Sequence, residues 1–565
     1  MKKNIAVIIL FLSASIQYSQ NLDSLFKAFV QLRTESHLTE RPARENHDEV
    51  MKCSFPLVCA VRLNYNKFSN NQQQILTTLL MRPESDTSIV SPKGLFRIHY
   101  RFTDGAPGYN ITLLAVAFDS VYNYEINKLG YIAPPDDNGL GGDDLYDVYV
   151  YNIGNTYGWT NPEIFLDDGL WAGHIVLDND FDGFYTTGIE AARVTAAHEF
   201  HHLVQMGNYI LSDKDSFYHE ITSVSMEEFV FDAINDYYGY MRAYFNNPSS
   251  SISNTVGFGY DLAIWNIFLK DRFGVDIIKK IWEEMKQLGA MNEYYGKPVA
   301  LKATEKVLLS ISTESTSLKN ELNKFGIWAY FTGPRAEAGK NQNAAFEEAE
   351  YYPLIRTSYL YEFEPPQKSM MVISEPVSNN FLIFYDYSQS LPDTLVCLIT
   401  NGNVDGTQAN PPVETDFNFT LRSDQPSDFT KITDRFSSKF ESANTSLFQQ
   451  ANIFNTFIVS GDFEREAIDY AYPNPFSYKK HLDASNVQIS IPVEPNINGL
   501  TQLQVYTTSM QLVYSERKSI IPGERIIIRW NGLDNSGNKL PTGVYIYVTE
   551  AGDEIKTGKI VIYNE

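Results

Sequence analysis

The chain has 565 residues, of which 43% are hydrophobic and 14% aromatic. That length exceeds one compact core and leads to an expectation of about three or four domains. Acidic residues number 69 against 45 basic ones, a formal net charge of −24. Such a field repels phosphate backbones and argues against a nucleic-acid partner.

The N-terminus reads MKKNIAVIILFLSASIQYSQNLDS. Lys2 and Lys3 precede a short apolar core over residues 5–14, the pattern of a signal peptide, expected here over residues 1–20. A bilayer span needs about 20 apolar residues, and no later segment offers them, so no transmembrane segment is expected. No cysteine follows the apolar core, which argues against a lipid anchor there. The expectation is export, with the product secreted or held at the cell surface.

Residues 21–90 are polar and partly helical, an N-terminal segment or propeptide. They contain Cys53 and Cys59, which in an exported chain could close a small loop as a disulfide. The alternative is that one of them masks a metal before activation. The third cysteine, Cys397, sits in the apolar run DTLVCLIT and reads as a buried free thiol.

Alternation in LFRIHYR (95–101) predicts a strand, and ITLLAVAFDSVYNYEINKLGY a helix that ends at Gly130. YDVYVYNI (146–153) and AGHIVLDND (172–180) follow as strands. Residues 187–207 then read as a helix, and further helices are expected over 216–245, 258–273 and 275–289, with helical character to about 333. From 345 to 465 short β-type runs alternate with Asn, Asp, Pro and Gly, the pattern of a β-sandwich. YAYPNPF (470–476) marks a linker, and the last 90 residues are alternating strands, two of them joined by the turn sequence DNSGNKLPTG.

The chemistry concentrates in TAAHEFHHLVQ, residues 195–205. Positions four apart lie on one helix face, so His198 and His202 can grip one metal ion. Glu199 then stands beside the position of a bound water. This is the H-E-x-x-H pattern of zinc peptidases, with zinc as the expected cofactor. The surrounding helix is small and apolar on most sides, and burying three histidines and a glutamate in it is costly unless something satisfies them. His201 lies off the motif spacing and reads as a packing or hydrogen-bonding residue.

A catalytic zinc keeps three protein ligands and one open position. A third histidine at H-x-x-G-x-x-H spacing is missing, because Gln205 and Asn208 stand in those places. A glutamate on the following helix is the other solution. Glu220 opens that amphipathic stretch and is the expected third ligand, with His219 as its rival. Glu227, seven residues on, returns to nearly the same face and suits a carboxylate that orients a ligand histidine; the bland alternative is a solvated acidic edge. Glu199 is the expected general base. Tyr260 is a candidate donor to the tetrahedral oxyanion, alongside Tyr238 and His219. The strand AGHIVL is a candidate edge for an extended peptide.

HEFHH followed by HEITSVSMEE resembles the gluzincin, thermolysin-like zinc peptidases. It resembles more closely a group of secreted bacterial metalloproteases that carry an HEFxH helix and an E-G-T-A-x-W-x-E-like helix. SPKGLFRIHY, PPDDNGLGGDDLYDVYV and YGYMRAYF fit this second resemblance, which covers roughly residues 90–335. It implies a secreted zinc endopeptidase acting on protein or peptide substrates, with His198, His202 and Glu220 as zinc ligands and Glu199 as base. The chain departs from the group at Ile221 and Ser225, where Gly and Trp are common. Val224 stands where thermolysin-like enzymes have an Asp.

DNDFDG (178–183) places Asp178, Asp180 and Asp182 at alternating positions, like the start of an EF-hand loop, so calcium is a second expected cofactor. The closing glutamate is out of register, and the simpler reading is a series of Asx turns. The C-terminal pieces YPNPF, IRWNGLDNSGNKLPTGVYIYV and GKIVIYNE resemble the sorting domains of type IX secretion, which share a FlgD-like β-sandwich. That resemblance implies passage through the type IX secretion machinery. An accessory Ig-like module is the alternative.

The expected fold class is therefore multidomain: an α+β zincin-like catalytic domain (91–344) followed by two all-β sandwich domains (345–466 and 467–565). The competing functional class is a surface adhesion or glycan-binding protein with a degenerate zincin domain. The intact Glu199 speaks against it, because a purely structural metal needs no base.

Overall fold

The computed structural model describes residues 22–35 and 51–564, except 103–105, 167–168, 255–257, 312–315, 357–358, 363–366, 386–393, 409–413, 424–435, 443–452, 461–470, 472, 484–487, 494–498, 521–525 and 552–553. The expected signal peptide lies outside the described residues. The chain forms two compact units, 1–461 and 462–565, of mixed α/β and all-β character.

The first unit is built around a six-stranded sheet. In chain order its strands are β1 (Met51–Cys53), β2 (Thr87–Val90), β3 (Phe96–Tyr100), β4 (Tyr146–Val150), β5 (Thr156–Phe165) and β6 (Trp171–Leu177). In space the order is β1-β5-β6-β4-β3-β2. β1–β5, β6–β4 and β4–β3 are parallel, and β5–β6 and β3–β2 antiparallel. Because β1 and β2 belong to this sheet, the N-terminal segment is not a separate layer, and the expected boundary at residue 91 falls inside one folded body.

Side-chain alternation sorts the sheet's two faces. Val148, Val150, Ile175 and Leu177 enter the large core beneath α4 (Ile111–Tyr122) and α5 (Gly188–Asn208). Tyr149, Val176 and Trp159 point the other way, toward α1 (Leu22–Glu35) and the 55–79 helical pair α2 (Phe55–Leu63) and α3 (Asn70–Leu79). α3 starts with a capping box between Ser69 and Gln72. α4 starts with Asn110 accepting from the backbone of Thr112 and Leu113. α6 (Ser216–Val230) packs on α5 and is buried from Phe217 to Phe229.

Two sequence expectations change here. β5 was not foreseen: Pro162 argues against a strand, but it sits where the β5–β6 register shifts. β5 therefore covers β6, so AGHIVL is an inner strand and not an edge. The expected 216–245 helix breaks after Val230; the chain turns through Asp236–Gly239 before a short helix at Arg242–Asn246. That break carries Asp236 back against β1, where it pairs with Lys52.

Residues 359–460 form a four-stranded and a three-stranded antiparallel-rich pair of sheets, with Phe384 of one 6.5 Å from Phe419 of the other. The four-stranded sheet is covered on its second face by the Leu318–Tyr330 helix, where Asn323 donates to Thr400 and Asn379 donates to the Leu322 carbonyl. Cys397 is buried and in no disulfide, as its apolar run predicts. The second unit is all-β, a five-stranded and a two-stranded sheet around Trp530, Tyr478, Tyr547, Ile560 and Ile562. The expected turn at DNSGNK is capped by Asp534, whose carboxylate accepts from the backbone of Ser536 and Asn538 at 2.8 Å. No helix of the described residues is long and apolar enough to cross a membrane.

Gly173 shows how closely β5 and β6 approach: a Cβ there would lie 1.9 Å from the carbonyl oxygen of Asn161. Gly173→Ala should destabilise the first unit by about 1–3 kcal/mol, the range for overpacking, read as a lowered midpoint in chemical denaturation. An unchanged midpoint would show that the pair can separate freely.

Candidate metal and catalytic site

The site forms where α5 and α6 cross beside β5. The four-residue spacing on α5 puts His198 and His202 one turn apart, and their Nε2 atoms lie 3.2 Å from each other. Glu220 of α6 brings one carboxylate oxygen to 3.1 Å from His198 Nε2 and the other to 3.5 Å from His202 Nε2. The sulfur of Cys53, from β1, lies 3.6 Å from His202 Nε2. All four residues are buried, and one ligand atom from each falls within 4.8 Å of the others.

The histidine tautomers follow from their second nitrogens. His198 Nδ1 lies 2.8 Å from Glu227 Oε1, which accepts from it when the carboxyl is ionised beside Lys52. His202 Nδ1 lies 2.8 Å from Gln205 Oε1. The Gln205 amide is oriented by its Nε2, which donates to the His219 carbonyl and to Ser223. Both Nδ1 atoms therefore carry the proton, and both Nε2 lone pairs face inward. Burial holds each imidazole at a pKa of about 3, hence neutral. Two lone pairs and a carboxylate facing one another in a dry interior repel unless a cation joins them.

The dimensions fit zinc. With bonds of about 2.0–2.1 Å to N and O and about 2.3 Å to S, a tetrahedral ion separates its N and O ligands by about 3.3 Å and an N–S pair by about 3.6 Å. The His198–His202, His198–Glu220 and His202–Cys53 spacings of 3.2, 3.1 and 3.6 Å lie close to these values, and the whole group falls within 4.8 Å. Oε1 of Glu220 and Oε1 of Glu199 are buried without a hydrogen-bond partner among the described residues. Burial also pushes the Glu220 carboxyl and the Cys53 thiol upward, the thiol further so because Glu199 and Glu220 face it. A bound cation would reverse these directions.

Glu199 borders this cluster. Thr160 of β5 donates to its Oε2 at 2.8 Å. Gly158 keeps space for the other oxygen: a Cβ there would approach Glu199 Oε1 to 3.1 Å. Burial raises the Glu199 carboxyl well above the usual carboxylate range, against the pull of Cys53 and Thr160. The Tyr260 hydroxyl donates to the Cys53 carbonyl at 2.7 Å and accepts from the Cys53 amide at 3.3 Å. Burial and the nearby Glu220 hold the Tyr260 phenol protonated.

The other expected residues fall as follows. Glu227 bridges His198 and Lys52, whose Nζ lies 2.9 Å from Oε2. Burial pushes Glu227 up to about 8 in spite of that lysine. Glu227 thus holds His198, as Val224, an apolar residue, cannot. His219 turns aside, its Nδ1 at 2.7 Å from Gln205 and its ring edge-on to Trp282. Its ring is outside the four-residue cluster. His201 points away to Glu125, 2.7 Å from Nδ1. Tyr238 packs among Tyr237, Tyr351 and Tyr352.

Cys53 and Cys59 are both free, so the expected disulfide is absent. Cys53 is instead drawn to the histidines by the pairing of β1 with β5. Asp178 and Asp180 accept from the backbone amides of Ile153, Phe181 and Asp182, an Asx-turn arrangement. Among the described residues Asp178, Asp180 and Asp182 form no convergent metal-ligand group.

Sequence reasoning missed Gln205, Thr160, Lys52 and Asp236. Gln205 had a local signal, three residues beyond His202 on the same helix. The other three had none, since only the sheet and the break in the 216–245 segment bring them to the site.

No family model matches the chain, and no curated protein matches it. Two solved structures from Porphyromonas gingivalis are among those that resemble parts of it. One is PorZ, described as an essential bacterial surface component of the type-IX secretion system: 17% identity over 20% of this chain and 14% of that one, TM-score 0.14. The other is dimeric latent PorU: 12% identity over 39% of this chain and 22% of that one, TM-score 0.14. The chain thus spans less than a quarter of either relative, and likeness at that level leaves the site to be read from its own geometry.

Proposed function

We propose that the first unit is a zinc-dependent peptidase with a zincin-like site, the ion held by His198, His202 and Glu220. The observation that carries this reading is the convergence of two Nε2 lone pairs and a carboxylate at tetrahedral spacing, beside a glutamate with an unpartnered oxygen. Zinc at such a site supplies a Lewis acid and an ionisable water at neutral pH. The chain's own residues supply the rest. Glu199, steadied by Thr160, takes a proton from the water that attacks the peptide carbonyl and passes it to the leaving amine. Tyr260 keeps its proton and donates it as a hydrogen bond to the oxyanion. Glu227 and Gln205 hold the two imidazoles in the tautomer that leaves Nε2 free.

Cys53 favours a second reading. Four protein ligands make a closed set, the arrangement of a structural metal, and an adhesion or glycan-binding protein could use one. A structural site gives Glu199 and Thr160 no task, which is why the peptidase reading is preferred.

Zinc titration of the full chain should find one tight site. His202→Ala should abolish it. Glu220→Gln should weaken it by more than the 10–100-fold typical of residues that orient a ligand, and Glu227→Gln by about that amount. Retention of zinc by Glu220→Gln but not by His219→Ala would make the third ligand a histidine. For catalysis, casein cleavage is compared in a Cys53→Ala background, so that the sulfur does not fill the open position. Adding Glu199→Gln should lower turnover by about 10²–10⁴-fold; equal turnover would remove the proposed base.

The second unit is proposed as a sorting module for type IX secretion, placing the product outside the cell or on its surface. The support is the order of its C-terminal motifs and its possession of its own core. Deleting residues 462–565 should leave the first unit folded, by circular dichroism, and retained in the cell. Normal export of the truncated chain would refute the sorting role.

A further inference from the structure

β1 is only three residues long, yet it is the most densely anchored strand at the site. It pairs in parallel with β5, Met51 opposite Thr156 and Cys53 opposite Gly158. β5 is the strand beside Glu199, and β1 lies along the edge of it where an extended peptide would otherwise add to the sheet. Tyr260, the candidate oxyanion donor, is engaged with a peptide carbonyl, that of Cys53. The Cys53 sulfur lies with His198, His202 and Glu220 at the fourth position.

Neighbouring side chains on a strand point opposite ways, and Lys52 enters a separate pocket. Its ammonium is paired with Asp236 and lies 2.9 Å from Glu227, with both carboxylates fully buried. The rings of Tyr157 and Tyr240 wall it, each centroid 4.8 Å from Nζ. Removing one partner from a buried charge cluster leaves uncompensated charge in the interior, at a cost of several kcal/mol. If β1 leaves, Asp236 and Glu227 lose the ammonium that faces them. The pocket is then shaped for a replacement ammonium, and a peptide strand on the β5 edge would deliver one if it carried lysine.

We infer that residues 51–53 occupy the site as a bound peptide would, keeping the enzyme latent, and that the Asp236–Glu227 pocket selects a lysine near the scissile bond of the substrate. This rests on the metal-site reading above and adds to it the substrate class and the means of inhibition. A pocket that also steadies His198 through Glu227 couples recognition of the lysine to the ligand set. The sulfur and the lysine together explain why so short a strand is held: its two ladder positions alone give little, while the ligand position and the ion pairs anchor both of its inner side chains.

The test uses the full chain loaded with cobalt(II) in place of zinc. One cobalt per chain with a near-ultraviolet thiolate-to-cobalt band is expected, and Cys53→Ala should lose the band while keeping the metal. The wild-type spectrum decides this arm even if the variant folds poorly. One cobalt without the band overturns the inference and leaves the metal site standing; failure to bind cobalt or zinc at all refutes the metal-site reading itself. In Lys52→Ala, where the side chain but not the β1 backbone is gone, n-butylammonium should bind at least about tenfold more tightly than n-butanol. That preference should vanish on adding Asp236→Asn. Equal binding of the amine and the alcohol overturns the assigned selectivity.

Discussion

Two neutral imidazoles whose lone pairs face each other at 3.2 Å inside a dry core are the constraint on which the rest of the first unit depends. Such an arrangement is repulsive in the absence of a positive charge, and the protein has gone to some length to keep it. Glu227 and Gln205 hold the outer nitrogens, Ser223 and the His219 carbonyl hold Gln205, and Lys52 offsets Glu227. Each of these contacts would be wasted on a helix that merely carried histidines. Buried polar groups of this number are stable only as a completed network, and the proposed function has a cation complete this one.

The same network joins the N-terminal strand to the chemistry. Lys52 and Cys53 touch opposite ends of one chain of contacts: lysine to Glu227, Glu227 to His198, His198 to the ligand set, and the ligand set to the Cys53 sulfur. Occupancy of the lysine pocket and orientation of His198 are therefore not independent. On the proposed reading, such a site is held inactive by its own chain without distortion of the groups around it, since the strand takes the contacts proposed for a substrate.

The large buried interface between the helical body and the first β-sandwich has a simpler role. The four-stranded sheet is buried on both faces, by its partner sheet and by the Leu318–Tyr330 helix. That accounts for its unbroken apolar runs, where a sandwich exposed on one side would alternate. The sequence boundary near 345 marks a change of secondary structure and not a change of folded body, because the hydrophobic core runs across it.

What the sequence by itself determined is local. Helical periodicity places His198 and His202 on one face and Glu220 and Glu227 on another, and strand alternation marks β3, β4 and β6; these follow from fixed repeats of 3.6 and 2 residues. The tertiary structure decided everything that depends on partners far apart in the chain. Cys53 meets His202 across 149 residues and Lys52 meets Asp236 across 184. Neither contact has a repeat to announce it. β5 was hidden by Pro162, whose cost depends on where the strand register shifts, and the disulfide expected from two nearby cysteines gave way because β1 pairs with β5 and turns one sulfur to the histidines. Histidine spacing is a property of one helix, but the place of Cys53 beside the histidines, the charge in the adjoining pocket and the order of strands in the sheet are properties of packing, which a single segment of sequence does not contain.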